Sequence, residues 1–311
     1  MKNNSIGIDI GGTNTVCGLV TPEGKCLKKN KFQTQNFPKI EDYVAKLAEN
    51  ISELASDSCG KPGQTQPLPV GIGAPNANYF SGFIDDAPNL PWKGRISLCD
   101  MLAEKLAWSR DKFAITNDAN AAAIGEKTYG KAKNLDDFIV VTLGTGVGSG
   151  IYSGGKLLYG STGAAGELGH IITERDGRQC GCGRCGCLET YCSATGVART
   201  YREMNPAAKN ITSREIAGLA QSGDEIAQKV FDFTGEMLGF ALANAVAMTS
   251  PSHIFLLGGL AQSGELIFAP TRKAMDKYML NIFKGTVSLD VSEIDGENAA
   301  ILGAAAVRKI K

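Results

Sequence analysis

The chain has 311 residues, 43% of them hydrophobic, enough to bury one large core or two cores that share a cleft. Lysine plus arginine and aspartate plus glutamate both number 32, so the formal net charge is zero and no basic field exists to hold phosphate backbones or anionic lipid. Nucleic acid and membrane partners are therefore not expected, and no stretch approaches the roughly 20 apolar residues of a membrane span.

The opening MKNNSIGIDI runs into a strand-like segment without the basic start and long apolar run of a secretory signal, so a cytoplasmic location, where thiols stay reduced, is the expectation. Ser5–Ile10 reads as a short apolar strand ending in Asp9-Ile10-Gly11-Gly12-Thr13-Asn14. Apolar residues resume at Val16, which predicts strand, tight turn, second strand. Over Glu41–Ala55 the apolar residues Val44, Leu47, Ala48, Ile51, Leu54 and Ala55 have the spacing of a helix with one buried face. Pro69–Ala74 is again strand-like, followed by a loop rich in Pro, Asn and Gly through Gly94. Phe113–Thr116 is a short strand that stops at Asn117-Asp118, and the alanine-rich run beyond predicts a helix capped by one of these two. Asp118 is thus either a carboxylate projecting from the end of a strand, as catalytic acids do, or a helix cap.

Phe138–Leu143 predicts a strand buried on both faces, opening into Gly144-Thr145-Gly146-Val147-Gly148 before Ile151-Tyr152. Strand, Gly/Thr turn, strand therefore occurs twice, which predicts two related α/β halves. Beyond a cysteine-rich segment, helices are predicted over Thr212–Gln221 and Asp224–Thr249, a strand over Ile254–Leu257 ending in Gly258-Gly259, and a final helix over Asn298–Ile310.

The glycine turns suit phosphate, because small residues let backbone N–H groups approach phosphate oxygens and Thr13 and Thr145 add hydroxyl donors. One such turn alone is as readily a plain hairpin. Gly144, Gly146 and Gly148 lead into strand-like residues, unlike a Rossmann fingerprint, and no Gly-Lys pair is followed by Ser or Thr as in a Walker A loop. Two hairpins plus Gly258-Gly259 amount to a different nucleotide clamp, with Asp9 able to reach a Mg²⁺ ion directly or through water.

Five of the nine cysteines fall between Cys180 and Cys192. In a reducing compartment such clusters more often bind metal than pair. Cys180, Cys182 and Cys187 with His170 make a Cys₃His set suited to tetrahedral Zn²⁺, closed and hence structural; free or redox-active thiols are the alternative. Cys185 is a fifth candidate for which a tetrahedron has no room. Glu167, among glycines, has little local apolar cover and faces a pocket or solvent, and Glu189 closes the cysteine loop. His253 precedes an apolar strand and reads as structural.

Together, Asp9-Ile-Gly-Gly-Thr-Asn14, Leu143-Gly-Thr-Gly146, Gly166-Glu-Leu-Gly-His170 and Cys180-Gly-Cys-Gly-Arg-Cys-Gly-Cys-Leu-Glu189 resemble the ROK family of sugar kinases and repressors. The similarity includes Asn89-Leu90-Pro91-Trp92 and the closing Gly303-Ala-Ala-Ala306. The resemblance implies an α/β, actin/hexokinase-like (ribonuclease H-like) fold of two domains with a cleft between them. The small domain would be residues 1–117 plus 298–311, and the large one residues 118–297 with a zinc-binding loop at 170–189. It also implies ATP and Mg²⁺ in the cleft, a hexose, foremost glucose, phosphorylated on a hydroxyl to glucose 6-phosphate, and a homodimer.

By the same resemblance Asp118 would be the catalytic base, and Asn89, Asn117, Glu167, His170 and Glu189 would join it in holding the sugar. Asp9, Gly11, Gly12, Thr13, Asn14, Gly144, Thr145, Gly146, Gly258 and Gly259 would hold the nucleotide. Zinc on His170, Cys180, Cys182 and Cys187 would tie His170, whose other ring nitrogen goes to the sugar, to the loop ending at Glu189. The alternatives are a kinase for fructose, mannose or an N-acetylhexosamine, and a sugar-responsive regulator without kinase activity. Such regulators carry a helix-turn-helix ahead of the Asp-Ile-Gly-Gly motif, whereas eight residues precede Asp9 here. Two departures from the family pattern are Asn76-Ala77-Asn78-Tyr79, where many members carry a glycine, and the extra thiol of Cys185.

Overall fold

The computed structural model describes residues 4–59, 66–208, 210–294 and 296–309. Ile310, the end of the predicted final helix, lies outside them, as do residues 1–3 and 311 of the predicted small domain. The chain divides into two compact units: Met1–Asn134 with Tyr159–Ala165 and Glu293–Lys311, and Leu135–Leu158 with Gly166–Ser292.

In chain order the first unit begins with β1 (Ser5–Ile10), β2 (Asn14–Val20), β3 (Cys26–Gln33), α1 (Ile40–Cys59), β4 (Val70–Gly73), β5 (Ile84–Asp85), β6 (Arg95–Ile96), α2 (Leu98–Leu106), β7 (Phe113–Thr116) and α3 (Asp118–Tyr129). The second contains β8 (Phe138–Leu143), β9 (Val147–Ser153), β10 (Lys156–Leu157), α4 (Glu189–Cys192), α5 (Ala194–Met204), α6 (Ser213–Gln221), α7 (Glu225–Thr249), β11 (His253–Leu257), α8 (Glu265–Tyr278) and β12 (Ser288–Val291). The chain then returns to the first unit with α9 (Gly296–Ala306).

The first sheet has the order β3-β2-β1-β4-β7 and the second β10-β9-β8-β11-β12. In each, a strand and its hairpin partner are antiparallel (β1 with β2, β8 with β9), and two further strands lie parallel to the first. The duplication foreseen in the strand-turn-strand motif is therefore a duplication of sheet topology.

Alternation along β1 explains how the first unit is layered. Ile6, Ile8 and Ile10 face one side and bury against Tyr43, Leu47 and Ile51 of α1. Gly7 faces the other side, where α9 lies so close that a Cβ would collide with the Ile301 carbonyl oxygen. Gly71 of β4 meets the Ala304 carbonyl in the same way, and Gly303 meets the Ala121 carbonyl of α3. Helix and sheet backbones touch because the strands carry no side chain at Gly7 and Gly71. This packing also corrects the predicted domain boundary: α3, assigned from sequence to the large domain, belongs to the first unit because its small residues seat on α9, with Gly125 against Gly303.

Among the described residues no helix is long and apolar enough to cross a membrane. Gly71→Ala should destabilise the protein by about 3 kcal/mol, read as a lowered urea midpoint, because the backbone contact must open. Gly218→Ala in α6, where a Cβ meets nothing within 4 Å, should instead stabilise it by about 0.5–1 kcal/mol.

Candidate active site

The parallel strands β1, β4 and β7 end in step, with Asp9 level with Gly73 and Gly73 level with Thr116. The next two residues are Asn117 and Asp118. By the pleat, Asp9 shares the face of Gly7, on which α9 packs. Gly73 faces α3, so that a Cβ there would sit 3.2 Å from Ala121 Cβ and 3.8 Å from Asp118 Cα. Asp9 and Asp118 thus share one edge of the sheet, near enough for the second charge to act on the first. Burial, and then the Asp118 charge, push the Asp9 carboxyl up to about 6.

Asn117, not Asp118, is the helix cap: its Oδ1 accepts from Ala119 N at 2.8 Å and from Asn120 N at 3.2 Å. Asp118 stands at the first helical position, and its Oδ1 also accepts from Ala119 N, at 2.8 Å. Asp118 keeps a solvent-exposed face, yet protein crowds the carboxyl; desolvation raises its proton affinity above the ordinary value, partly offset by the backbone hydrogen bonds. A carboxylate that water reaches and that holds a proton more tightly than usual is a better proton acceptor than an ordinary one.

The Gly11–Asn14 turn joins β1 to β2 and is closed by Gly11 N donating to Asn14 O at 2.9 Å. A Cβ on Gly12 would lie 2.6 Å from the Asn89 carbonyl oxygen, so glycine lets the Asn89 backbone approach the turn, while the Asn89 side chain is exposed. Thr34, which no sequence motif marks, is fully buried and donates from Oγ1 to Gly11 O at 2.8 Å.

In the second unit the Gly144–Gly146 turn joins β8 to β9, with Gly144 N donating to Gly146 O at 3.0 Å. Ala194 N donates to Gly144 O at 2.8 Å, and Gly258, at φ +108°, packs under Leu143 where a Cβ would lie 2.5 Å from its carbonyl oxygen. Gly259 has open space around it. Beside Thr145 lies a cavity of about 300 Å³ lined by Thr195, Arg202, Thr212 and Ser213, none foreseen from sequence. Glu189, at the start of α4, accepts from Val147 N at 3.0 Å through Oε2, the atom that occupies the place a Gly146 side chain would need. A side chain at position 146 would therefore have to displace the Glu189 carboxylate. Glu167 is exposed, just ahead of the short helical turn Leu168–His170.

That turn delivers His170 to the cysteines. Its Nδ1 is 3.7 Å from Cys180 Sγ, Cys182 and Cys187 sulfurs are 3.6 Å apart, and the four ligand atoms all lie within 4.8 Å of one another. With metal–sulfur bonds of about 2.3 Å, the edge of a tetrahedron is about 3.7 Å, so the four residues have the size of a tetrahedral metal site. Gly183 and Gly186, at φ +87° and +80°, allow the loop to double back. The Arg184 backbone amide holds Cys182 down at about 6, and burial pushes Cys187 up to about 12. Cys185 stands outside the set, with its thiol against Gln179 Oε1 at 3.2 Å. Arg178 ties the loop to the helices, donating to Thr190 O at 2.8 Å and Thr200 Oγ1 at 2.9 Å and stacking over Tyr191. His253 stacks on Phe255, the structural part its sequence context suggested.

The ROK family profile matches residues 5–310. The chain belongs to the ROK family. It is 34% identical to the glucokinase of Thermotoga maritima, over 99% of this chain and 98% of that protein. It is 28% identical to the xylose repressor of Bacillus subtilis, over 97% of this chain and 76% of that one. The crystal structure of a ROK family glucokinase from Streptomyces griseus in complex with glucose and AMPPNP superposes with a TM-score of 0.81 at 31% identity, covering 97% of this chain and 98% of that one. The fold is accordingly the actin/hexokinase-like fold of ROK hexokinases.

The raised proton affinity of Asp9 has a measurable consequence. Folding lifts its pKa from 3.8 to about 6, so ionisation costs the folded state more than the unfolded one. That cost is absent below the unfolded value, grows between the two and is complete above the folded one. Asp9→Asn should therefore exceed wild type in stability at pH 8 by on the order of 1–3 kcal/mol, with the urea midpoints converging as pH falls toward 4.

Proposed function

We propose that this ROK chain is an ATP-dependent glucokinase that converts glucose to glucose 6-phosphate. The observation that carries the reading is the state of Asp118: released from capping by Asn117, accessible, and more basic than an ordinary carboxylate. The glucokinases among its relatives and the glucose and AMPPNP held by the Streptomyces griseus protein support the choice of sugar and nucleotide.

In this reading the Asp118 carboxylate takes the proton of the sugar hydroxyl as the hydroxyl oxygen bonds to the γ-phosphorus of ATP. The bond from that phosphorus to the bridging oxygen breaks, and ADP leaves. The Gly11–Asn14 and Gly144–Gly146 turns, with Gly258 and Gly259, hold the phosphates through N–H groups and the Thr13 and Thr145 hydroxyls. Mg²⁺ held by Asp9, directly or through water, would supply positive charge against the phosphate oxygens. Asn89, Glu167, Glu189 and the amide nitrogen of Asn117, whose oxygen is committed to the cap, hold sugar hydroxyls.

His170 presents Nδ1 to the cysteines, which leaves Nε2, on the far side of the ring, for the sugar. The Cys₃His set fits Zn²⁺ in donor chemistry as well as in size. Bound there, zinc would supply rigidity, since four protein ligands leave no open position for a reacting water. Thiolate ligands of this kind call for a reducing compartment, which agrees with a cytoplasmic enzyme.

A coupled assay for ADP release should show turnover with glucose, and Asp118→Asn should lower kcat roughly 10²–10⁴-fold while glucose binding persists. Full activity in that variant would sink the reading. Metal analysis of purified protein should find about one zinc per chain, and Cys182→Ser should lose both the metal and thermal stability.

A further inference from the structure

The turn between β1 and β2 is held from behind by side chains that no motif includes. Three successive carbonyl oxygens are engaged: Gly11 O accepts from Thr34 Oγ1 at 2.8 Å, Gly12 O from Gln35 Nε2 at 2.5 Å, and Thr13 O from Thr34 N at 2.9 Å. In a trans peptide the C=O of one residue and the N–H of the next point in opposite directions. Drawing these three carbonyls toward Thr34 and Gln35 therefore turns the N–H groups of Gly12, Thr13 and Asn14 the other way. Neither Gly12 N–H nor Thr13 N–H donates to any described residue. The result is a short row of like-directed donors, the arrangement that binds anionic oxygens.

The proton order behind Thr34 is fixed. Gly11 O can only accept, so the Thr34 hydroxyl donates to it and must accept from Thr15, 3.0 Å away. Thr15 has then spent its one proton and accepts from the Tyr43 hydroxyl at 2.8 Å. All three residues are fully buried, and Tyr43 is held by Trp92 at 4.3 Å between ring centres. Burial also pushes the Tyr43 phenol up, so it keeps the proton it gives.

We infer that Thr34, oriented by the Tyr43–Thr15 relay and assisted by Gln35, is a positioning residue for nucleotide phosphate: it fixes the direction of the Gly12–Asn14 amides without touching ATP. The inference deepens the kinase reading and rests on it.

The test is steady-state kinetics of Thr34→Val, Thr34→Ser and Gln35→Leu beside wild type, varying ATP at saturating glucose and glucose at saturating ATP. Thr34→Val removes the donor with little change of shape; its KM for ATP should rise about tenfold, with kcat and the glucose KM within about twofold of wild type. Thr34→Ser keeps the hydroxyl and should stay within about twofold on all three. Gln35 is exposed, so Gln35→Leu folds even if Thr34→Val does not, and its ATP KM should rise about threefold. An unchanged ATP KM in Thr34→Val, or in Gln35→Leu should Thr34→Val not fold, overturns the inference. So does a glucose KM that rises by the same factor. If wild type phosphorylates no hexose, the kinase reading fails instead, and calorimetric titration of the same variants with ADP still decides this one: weaker binding supports it and equal binding overturns it.

Discussion

The first unit depends on direct backbone contact between α9 and strands β1 and β4. Any side chain at Gly7 or Gly71 would lift the helix off the sheet, and any at Gly303 would lift α3 off the helix. With these positions bare, α3 starts at the end of β7 beside the end of β1, and two carboxylates, Asp9 and Asp118, become neighbours on one sheet edge. Tight packing of glycine and alanine thus brings both acids to one crowded edge: burial raises the proton affinity of each, and for Asp9 the Asp118 charge adds to it. Residues on this edge work against stability, a common condition of groups selected for chemistry.

The second unit uses the same sheet order for a different purpose. Its hairpin turn is crossed by a carboxylate from the loop that also carries the cysteines: Glu189 fills the space that Gly146 leaves and accepts from Val147 N. His170, three cysteines, Arg178 and Glu189 therefore form one continuous piece of structure with the Gly144–Gly146 turn. A loop of such polarity has few apolar contacts of its own to define its shape. Hydrogen bonds from Arg178 to Thr190 and Thr200, and four ligand atoms at tetrahedral spacing, supply the definition instead.

Much of the fold was legible because its strands are short apolar runs and its turns are marked by glycine. β1, β4, β7, β8 and β11 fell close to where hydrophobicity put them. β3 did not, since CLKKNKFQ is an edge strand whose charges serve solubility and ion pairs with α1, such as Lys28 with Glu53 and Asp57. α8 was hidden by Pro270, which is tolerated inside the helix because it seats on Gly235 of α7. In the site, the metal set was readable because Cys₃His chemistry needs particular residue types. Asn117 and Asp118 were interchangeable as caps until the hydrogen bonds distinguished them. Thr34 and Arg178 were out of reach: each holds backbone carbonyls distant in sequence, and carbonyls leave no mark in a sequence.

Helix α9 covers strand β1, which precedes it by nearly the whole described sequence. During synthesis β1, β2, β4 and β7 emerge early, yet the face of β1 and β4 that α9 will occupy waits until residues 296–306 have left the ribosome. The second unit, formed from an uninterrupted later stretch apart from the short excursion at 159–165, has no such dependence. The sheet made before the second unit is thus completed only after it, and a chain cut before residue 296 leaves Gly7 and Gly71 facing no helix.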